Sequence, residues 1–422
     1  MRLCRIVATF WLVFAVPAFW LVCALPALAA DLPGAWVELR PDGALDVRAI
    51  VAPGAACPDM IADGAPLAVA PRDAPDQAYP IQVCAARAPT AAKRITVAGL
   101  SAPTLPKTIR RIIVLGDTGC RLKGRAVQDC NDPAGWPFAT VARLAAARHP
   151  DVVIHVGDYH YRESACPPDR PGCVGSPYGD VWPVWKADFF DPAAPLLAAA
   201  PWIMIRGNHE LCWRGGLGWA RLIDPHPPAA CAALTRPYSL NIDQQNLLVF
   251  DSADADDEKI DPTKVAGFHA QFQTLLMQAK PGAWLLTHRP LWAIAEGNVP
   301  AGVISNITEE AAIRGLVPPE LDMVISGHIH DFAVFGYGKD RPAQVVVGVG
   351  GTTNDATTQP LTSGREIDGM KLLQGYAHAD YGFLVLDRVG DGWNGQVVAV
   401  DNSILARCEF RGRSASCRPT RH

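Results

Sequence analysis

The segment Val152-Val153-Ile154-His155-Val156 runs directly into Gly157-Asp158-Tyr159-His160-Tyr161. A short, mostly apolar run closed by glycine and an acid predicts a buried strand that ends in a working loop. Asp158 stands at the strand end and Tyr161 follows three residues later. An ionised carboxylate has two oxygens and can bridge two cations. A phenol ligates only a metal acidic enough to displace a proton of pKa about 10. The pair therefore points to Fe(III) rather than Zn²⁺ or Mg²⁺.

Four other segments repeat this texture: an apolar run, then metal-ligating residue types. Gly116-Asp117-Thr118-Gly119 follows Ile112–Leu115, and Gly207-Asn208-His209-Glu210 follows Trp202–Ile205. His288 leaves the run Leu285-Leu286-Thr287. Gly327-His328-Ile329-His330 follows Met323–Ser326, and its two histidines at i and i+2 point the same way in an extended chain. Taken singly, Gly116–Gly119 reads equally well as a glycine turn with a capping Asp, and each histidine as a core or surface residue. Taken together, five strand ends carry Asp, Asp/Tyr, Asn/His, His and His/His in order, which argues for one site. His155, His226, His269 and His378 lack such a context and read as structural or surface residues.

The rest of the chain from Arg111 alternates short apolar runs with amphipathic stretches. Further strands are expected at Asn246–Phe250, Trp284–Thr287, Gln344–Val349, Gly382–Leu386 and Gln396–Val400. Helices are expected at Pro137–Arg148, Val184–Ala199, Val265–Gln278 and Glu309–Leu316. The alternation predicts an α/β fold, and the paired strands near the C-terminus suggest a second sheet packed on the first. Such folds place ligands at the carboxyl ends of strands, where every motif above falls. Residues 31–105 read as a small β-rich N-terminal domain and 106–422 as the catalytic domain, with Pro103–Lys107 as the linker.

The ordered set resembles the calcineurin-like metallophosphoesterase superfamily, and more narrowly the purple acid phosphatases, whose pattern runs GDxG, GDxxY, GNH(D/E), VxxH and GHxH, with Leu285 here in place of the Val. Most of that superfamily carries Asp-x-His in its first motif. Here Gly119 stands where that histidine would be, and Tyr161 restores the ligand. The resemblance covers about Arg111 to Asp355. It implies two packed mixed β-sheets flanked by helices, and a binuclear centre of Fe(III) plus Zn, Mn or Fe as the divalent ion. The implied ferric ligands are Asp117, Asp158, Tyr161 and His330, and the divalent ligands are Asp158, Asn208, His288 and His328. That split suits the ions, since the hard trivalent ion takes anionic oxygens and the borderline divalent ion takes imidazoles. His209 is then the group that binds the phosphate oxygen or protonates the leaving alkoxide. Glu210 would orient the site, and His160 and Arg289 would reach the phosphate.

Composition is ordinary and globular. The chain has 422 residues, 49% of them apolar, and a net charge of −4 with no block of like charges. Nothing in it marks a nucleic-acid-binding surface, and the acidic cluster Asp254–Glu258 reads as a solvated loop. Arg2 and Arg5, the apolar run Phe10–Leu25 and Ala27-Leu28-Ala29 form a secretion signal over residues 1–30. The rival readings are a retained N-terminal anchor and lipidation at Cys23. No other stretch is long and apolar enough for a spanning helix. Beyond Cys4 and Cys23, ten cysteines remain in local pairs. In the periplasm or outside the cell these favour disulfides Cys57–Cys84, Cys120–Cys130, Cys166–Cys173, Cys212–Cys231 and Cys408–Cys417. A zinc-thiolate site is the alternative, weakened by the lack of any Cys-x-x-Cys.

The expected function is hydrolysis of a small phosphate monoester by metal-activated hydroxide. A phosphodiesterase or nucleotidase on the same metals is the second reading. A structural protein with a decayed site is the third, disfavoured because no ligand in the ordered set is missing.

Overall fold

The structure, a computed structural model, describes residues 34–226, 231–294, 306–355, 361 and 363–420. The secretion signal read over residues 1–30 lies outside them. Five strands carry the motifs: β1 (Arg111–Leu115), β2 (Val152–His155), β3 (Trp202–Met204), β4 (Ala283–Leu286) and β5 (Leu321–Ser326).

Two mixed sheets contain these strands. In order, the first runs Ser414–Pro419, Ile404–Arg411, Gly392–Ala399, Gly382–Val389, β1, β2, β3, Ala35–Leu39, Leu45–Val51, Gln82–Ala88 and Val69–Pro71. The second runs Tyr238–Ile242, Gln245–Val249, β4, β5, Ala343–Val347, Phe332–Gly336 and Gln374–His378. Strands β1, β2 and β3 are parallel neighbours, as are β4 and β5. Their carboxyl ends therefore open toward one place.

Both faces of these strands are covered, which is why they read as nearly unbroken apolar runs. On the outer face of the first sheet, Ile113, Leu115, Val153 and Trp202 pack against Phe138, Val141, Phe189 and Leu196. Those residues belong to the helices Phe138–Ala146 and Trp182–Leu197. On the second sheet, Leu248, Leu285, Val324 and Val346 pack against Phe268, Phe272 and Ile313 of the helices Pro262–Leu276 and Ile307–Ile313. Between the sheets, Trp284 meets Trp393 edge to face at 5.3 Å. The layers are helix, sheet, sheet, helix.

The described part of the N-terminal segment, residues 34–105, is built of strands, and part of it continues the first sheet. Ala35–Leu39 pairs in parallel with β3, and Arg48 is fully buried between Glu38 and Asp46. Arg48 also donates to the carbonyls of Leu222 and Asp224. The remaining short strands of this segment form a separate four-stranded sheet.

The helix expected over Val184–Ala199 differs from the expectation. It starts at Trp182 and contains a π turn at Lys186–Phe190 before resuming at Asp191–Leu197. Insertions of this kind gather at functional sites. This one carries Asp188 inward, where it accepts from the backbone N–H groups of Cys120, Tyr161 and Arg162. The turn thus ties the helix to the loops after β1 and β2.

Five disulfides join Cys57 to Cys84, Cys120 to Cys130, Cys166 to Cys173, Cys212 to Cys231 and Cys408 to Cys417. No helix among the described residues is long and apolar enough to cross a membrane.

Candidate metal centre

The loops that leave the five strands are tightly constrained. Asp117, Asp158 and His328 all have positive φ, at 57°, 60° and 70°. Non-glycine residues rarely adopt this conformation, and it clusters at functional sites. Their glycine neighbours leave no room for a side chain. A Cβ on Gly207 would strike Asp158, and one on Gly157 would strike the His288 ring. A Cβ on Gly119 would lie 2.6 Å from the Tyr159 carbonyl oxygen and 2.9 Å from the Tyr161 nitrogen. No histidine fits at 119 with this backbone, so the space belongs to Tyr161.

The Tyr161 hydroxyl lies 3.0 Å from Asp117 Oδ1, 2.9 Å from Asp158 Oδ2 and 3.0 Å from His330 Nε2. Next to this group, His288 Nε2 is 3.0 Å from Asn208 Oδ1 and 3.2 Å from Asp158 Oδ2. Asp158, His288 and His328 each present one ligand atom, all within 4.8 Å of one another. The structure thus gathers Asp117, Asp158, Tyr161, Asn208, His288, His328 and His330, with Asp158 shared by the two halves.

This donor set fits cations. The His330 Nδ1–H donates to the Thr353 carbonyl at 2.9 Å, which leaves its Nε2 a lone pair. One phenolic proton therefore faces three acceptors. His288 repeats the pattern: its Nδ1–H donates to Val156 O at 2.8 Å, and its Nε2 faces two oxygens. Buried acceptors crowded on acceptors need a positive charge between them. Burial opposes protonation of His288, but Asp158 outweighs burial and moves its pKa up to about 9. Conversely, burial and the two carboxylates push the Tyr161 phenol well above its usual range. Only a strongly acidic cation would ionise it.

A surrounding layer fixes these groups. Glu210 is fully buried and accepts from the backbone N–H groups of Asp158, Tyr159, His160 and Gly207. It holds the turn that presents Asp158. His209 donates its backbone N–H to Asp158 Oδ1 at 2.8 Å, and its ring lies 3.7 Å from that of Tyr161. His209 Nδ1 is 2.7 Å from Glu163 Oε1 and 3.0 Å from the His160 carbonyl oxygen. Those contacts place a proton on Nδ1 and leave Nε2 toward Asp158, 3.8 Å from its Oδ2. Arg214 pairs with Glu163, and its Nη2 lies 2.8 Å from both ring nitrogens of His209, so with the proton on Nδ1 it is Nε2 that accepts from Arg214.

Two sequence expectations need correction. The His160 side chain does not enter the cluster, because its Nε2 bonds the Gly179 carbonyl at 2.9 Å and its ring lies 5.9 Å from that of Trp185. Nor is the acidic loop Asp254–Glu258 simply solvated. Asp257 Oδ2 is 2.9 Å from His328 Nε2 and pairs with Arg289, while its Oδ1 accepts from Asn306 at 2.9 Å. His328 and Arg289 hold the Asp257 carboxyl far below the usual range, outweighing its burial. A carboxylate behind a histidine fixes the tautomer, here leaving Nδ1 as the free lone pair. Arg289 therefore sits at the border of the cluster, 2.9 Å from His328 Nε2.

Sequence reasoning missed Asp257, Glu163, Arg214, Arg121 and Asp188. Glu163, two residues past Tyr161, and Arg121, two residues past Gly119, had a positional signal. Asp257, Arg214 and Asp188 gave no sign of a link to the site, because folding alone brings them there.

Comparison with known proteins is consistent with this geometry. The family model for calcineurin-like phosphoesterase matches residues 110–332. Among solved structures, the chain is similar to the purple acid phosphatase PPD1 from yellow lupin (Lupinus luteus) seeds. The two are 12% identical over 91% of this chain and 74% of that one, with a TM-score of 0.59. It is also similar to PhoD, at 11% identity over 94% of each chain and a TM-score of 0.57. At such identities the likeness concerns the fold. No curated protein matches the chain.

Proposed function

The chain belongs to the calcineurin-like phosphoesterase family, and from that membership we propose that it is an exported, purple-type acid phosphatase acting on phosphate monoesters. At the coarser level it is a metal-dependent hydrolase of phosphoric esters. The observation that carries the finer reading is the Tyr161 hydroxyl within 3.0 Å of Asp117, Asp158 and His330. A phenol in that position suits Fe(III), with Asp158, Asn208, His288 and His328 suited to a divalent partner.

When bound, such a pair supplies positive charge to the phosphoryl oxygens and acidifies water. The chain's own residues do the rest. Asp158 holds the two halves together, and Glu210 holds Asp158. His209 sits beside Asp158 with Nδ1 fixed by Glu163, so Nε2 is the atom that would handle the proton of the leaving oxygen. Burial lowers the His209 pKa to about 4, against the pull of Asp158 and Glu163. A group that takes its proton only in acid fits an acid-active enzyme. Five disulfides fit an oxidising compartment and support the periplasmic or secreted location.

Side-by-side rates on p-nitrophenyl phosphate and bis(p-nitrophenyl) phosphate, with elemental analysis and a visible spectrum of the purified protein, test this reading. Faster turnover of the monoester, iron in the protein and a phenolate-to-iron band are expected. Preference for the diester or absence of iron would overturn it.

A further inference from the structure

Among the described residues, the guanidinium groups of Arg121, Arg214 and Arg289 border the donor cluster, and two of them are neutralised. Arg214 pairs with Glu163 and Arg289 with Asp257. Arg121 has no such partner among the described residues. Its Nη2 lies 3.2 Å from His330 Nδ1. The N–H on that nitrogen already donates to the Thr353 carbonyl, so the nitrogen has no lone pair to offer. Arg121 Nε is buried without a hydrogen-bond partner. The guanidinium carbon stands 5.4 Å from the centre of the Tyr161 ring. Hydrogen-bond donors left unmatched in a half-buried position are costly, and a fixed arginine of this kind is a waiting anion site.

The arm is held from behind. Arg121 follows Cys120, which is bonded to Cys130 and whose backbone N–H donates to Asp188. The backbone N–H of Arg121 itself donates to Gln128 Oε1 at 3.2 Å. The guanidinium therefore meets the cluster at the outer edge of His330. It lies on the Nδ1 side of His330 and over the face of the Tyr161 ring, whereas His330 Nε2 is the atom that meets the Tyr161 hydroxyl. An anion gripped there lies beside the scissile phosphoryl group rather than on it. A guanidinium fork matches a phosphate or carboxylate through two parallel N–H bonds.

We propose that Arg121 binds a second anionic group of the substrate, a phosphate or carboxylate carried on the leaving group. The site would then favour polyanionic phosphoesters over esters of uncharged alcohols. This rests on the phosphoesterase reading above and names the substrate class for that same site.

The test compares Arg121→Met and Arg121→Lys with the parent, as metal-loaded full-length enzyme. Steady-state kinetics are measured on ADP, 3-phosphoglycerate and p-nitrophenyl phosphate, and pyrophosphate binding is measured by titration calorimetry. Loss of a charge-assisted contact predicts that the kcat/KM ratio of ADP or 3-phosphoglycerate to p-nitrophenyl phosphate falls about tenfold or more in Arg121→Met, with partial recovery in Arg121→Lys. Pyrophosphate affinity falls by a similar factor. An unchanged ratio together with unchanged pyrophosphate affinity would overturn the proposal. So would an equal loss on all three substrates with a shifted visible band, which assigns Arg121 to tuning Tyr161. If the parent turns over none of the three, the phosphoesterase reading fails instead, and the calorimetry still decides whether Arg121 holds an anion.

Discussion

Asp257→Asn removes a charge from behind the divalent half of the site while keeping the side chain's shape. In the parent, Asp257 Oδ1 accepts from Asn306, and Oδ2 faces both His328 Nε2 at 2.9 Å and Arg289. An asparagine that keeps the Asn306 bond must turn its amide N–H toward His328. Nε2 would then have to accept, and the ring proton would move to Nδ1, the nitrogen needed for a metal. Replacing partners behind a ligating histidine typically costs 10–100-fold in metal affinity or activity, which is about 1.4–2.8 kcal/mol. The assay is divalent-ion affinity by competition with a chromophoric chelator, run beside turnover of p-nitrophenyl phosphate at limiting and saturating metal. The expected result is a 10–100-fold weaker divalent ion with the iron content kept. Saturating metal should restore part of the activity. Unchanged affinity with unchanged turnover would show that Asp257 does not orient His328, and that the acidic loop is a solvated surface after all.

Other consequences can be measured directly. Tyr161→Phe should abolish the visible phenolate-to-iron band and weaken the trivalent site, and a surviving band would place the iron elsewhere. His209→Ala should keep both metals by elemental analysis while turnover falls about 10²–10⁴-fold; loss of metal would instead make His209 a ligand. Away from the site, burial and Asp368 push Glu310 up to about 8, against Arg341 and Arg314. A carboxyl that holds its proton more tightly when folded contributes stability fully present below its unfolded pKa of about 4.5 and lost as pH rises through about 8. Glu310→Gln should therefore flatten the fall of Tm between pH 5 and 8, and an unaltered slope would count against the buried position of that carboxyl.

The five motif strands were legible because each is covered on both faces. Nearly continuous apolar runs such as Val152–Val156, broken only by His155, leave few other readings, and the glycines that follow are demanded by collisions a Cβ would make. The helix Trp182–Leu197 was legible as a helix, but its π turn was not. That turn exists to bring Asp188 to three backbone donors supplied by two distant loops. His160 was misplaced for a related reason: a residue inside a motif need not face the site, and its partner, Gly179, arrives from a later loop.

The sequence by itself determined the class of chemistry, because ligand identity is a property of residue type. A tyrosine and an aspartate at strand ends point to a strongly acidic cation, whereas the exclusion of histidine at Gly119 needed the backbone around it. Only the tertiary structure decided which charges answer one another. Asp257 was one of four carboxylates in an acidic loop, and Arg121 one of many arginines. A pairing energy depends on distance through space, so Asp257 became a partner of His328, and Arg121 a cation without an anionic partner among the described residues, only when strands far apart in the chain ended at one place.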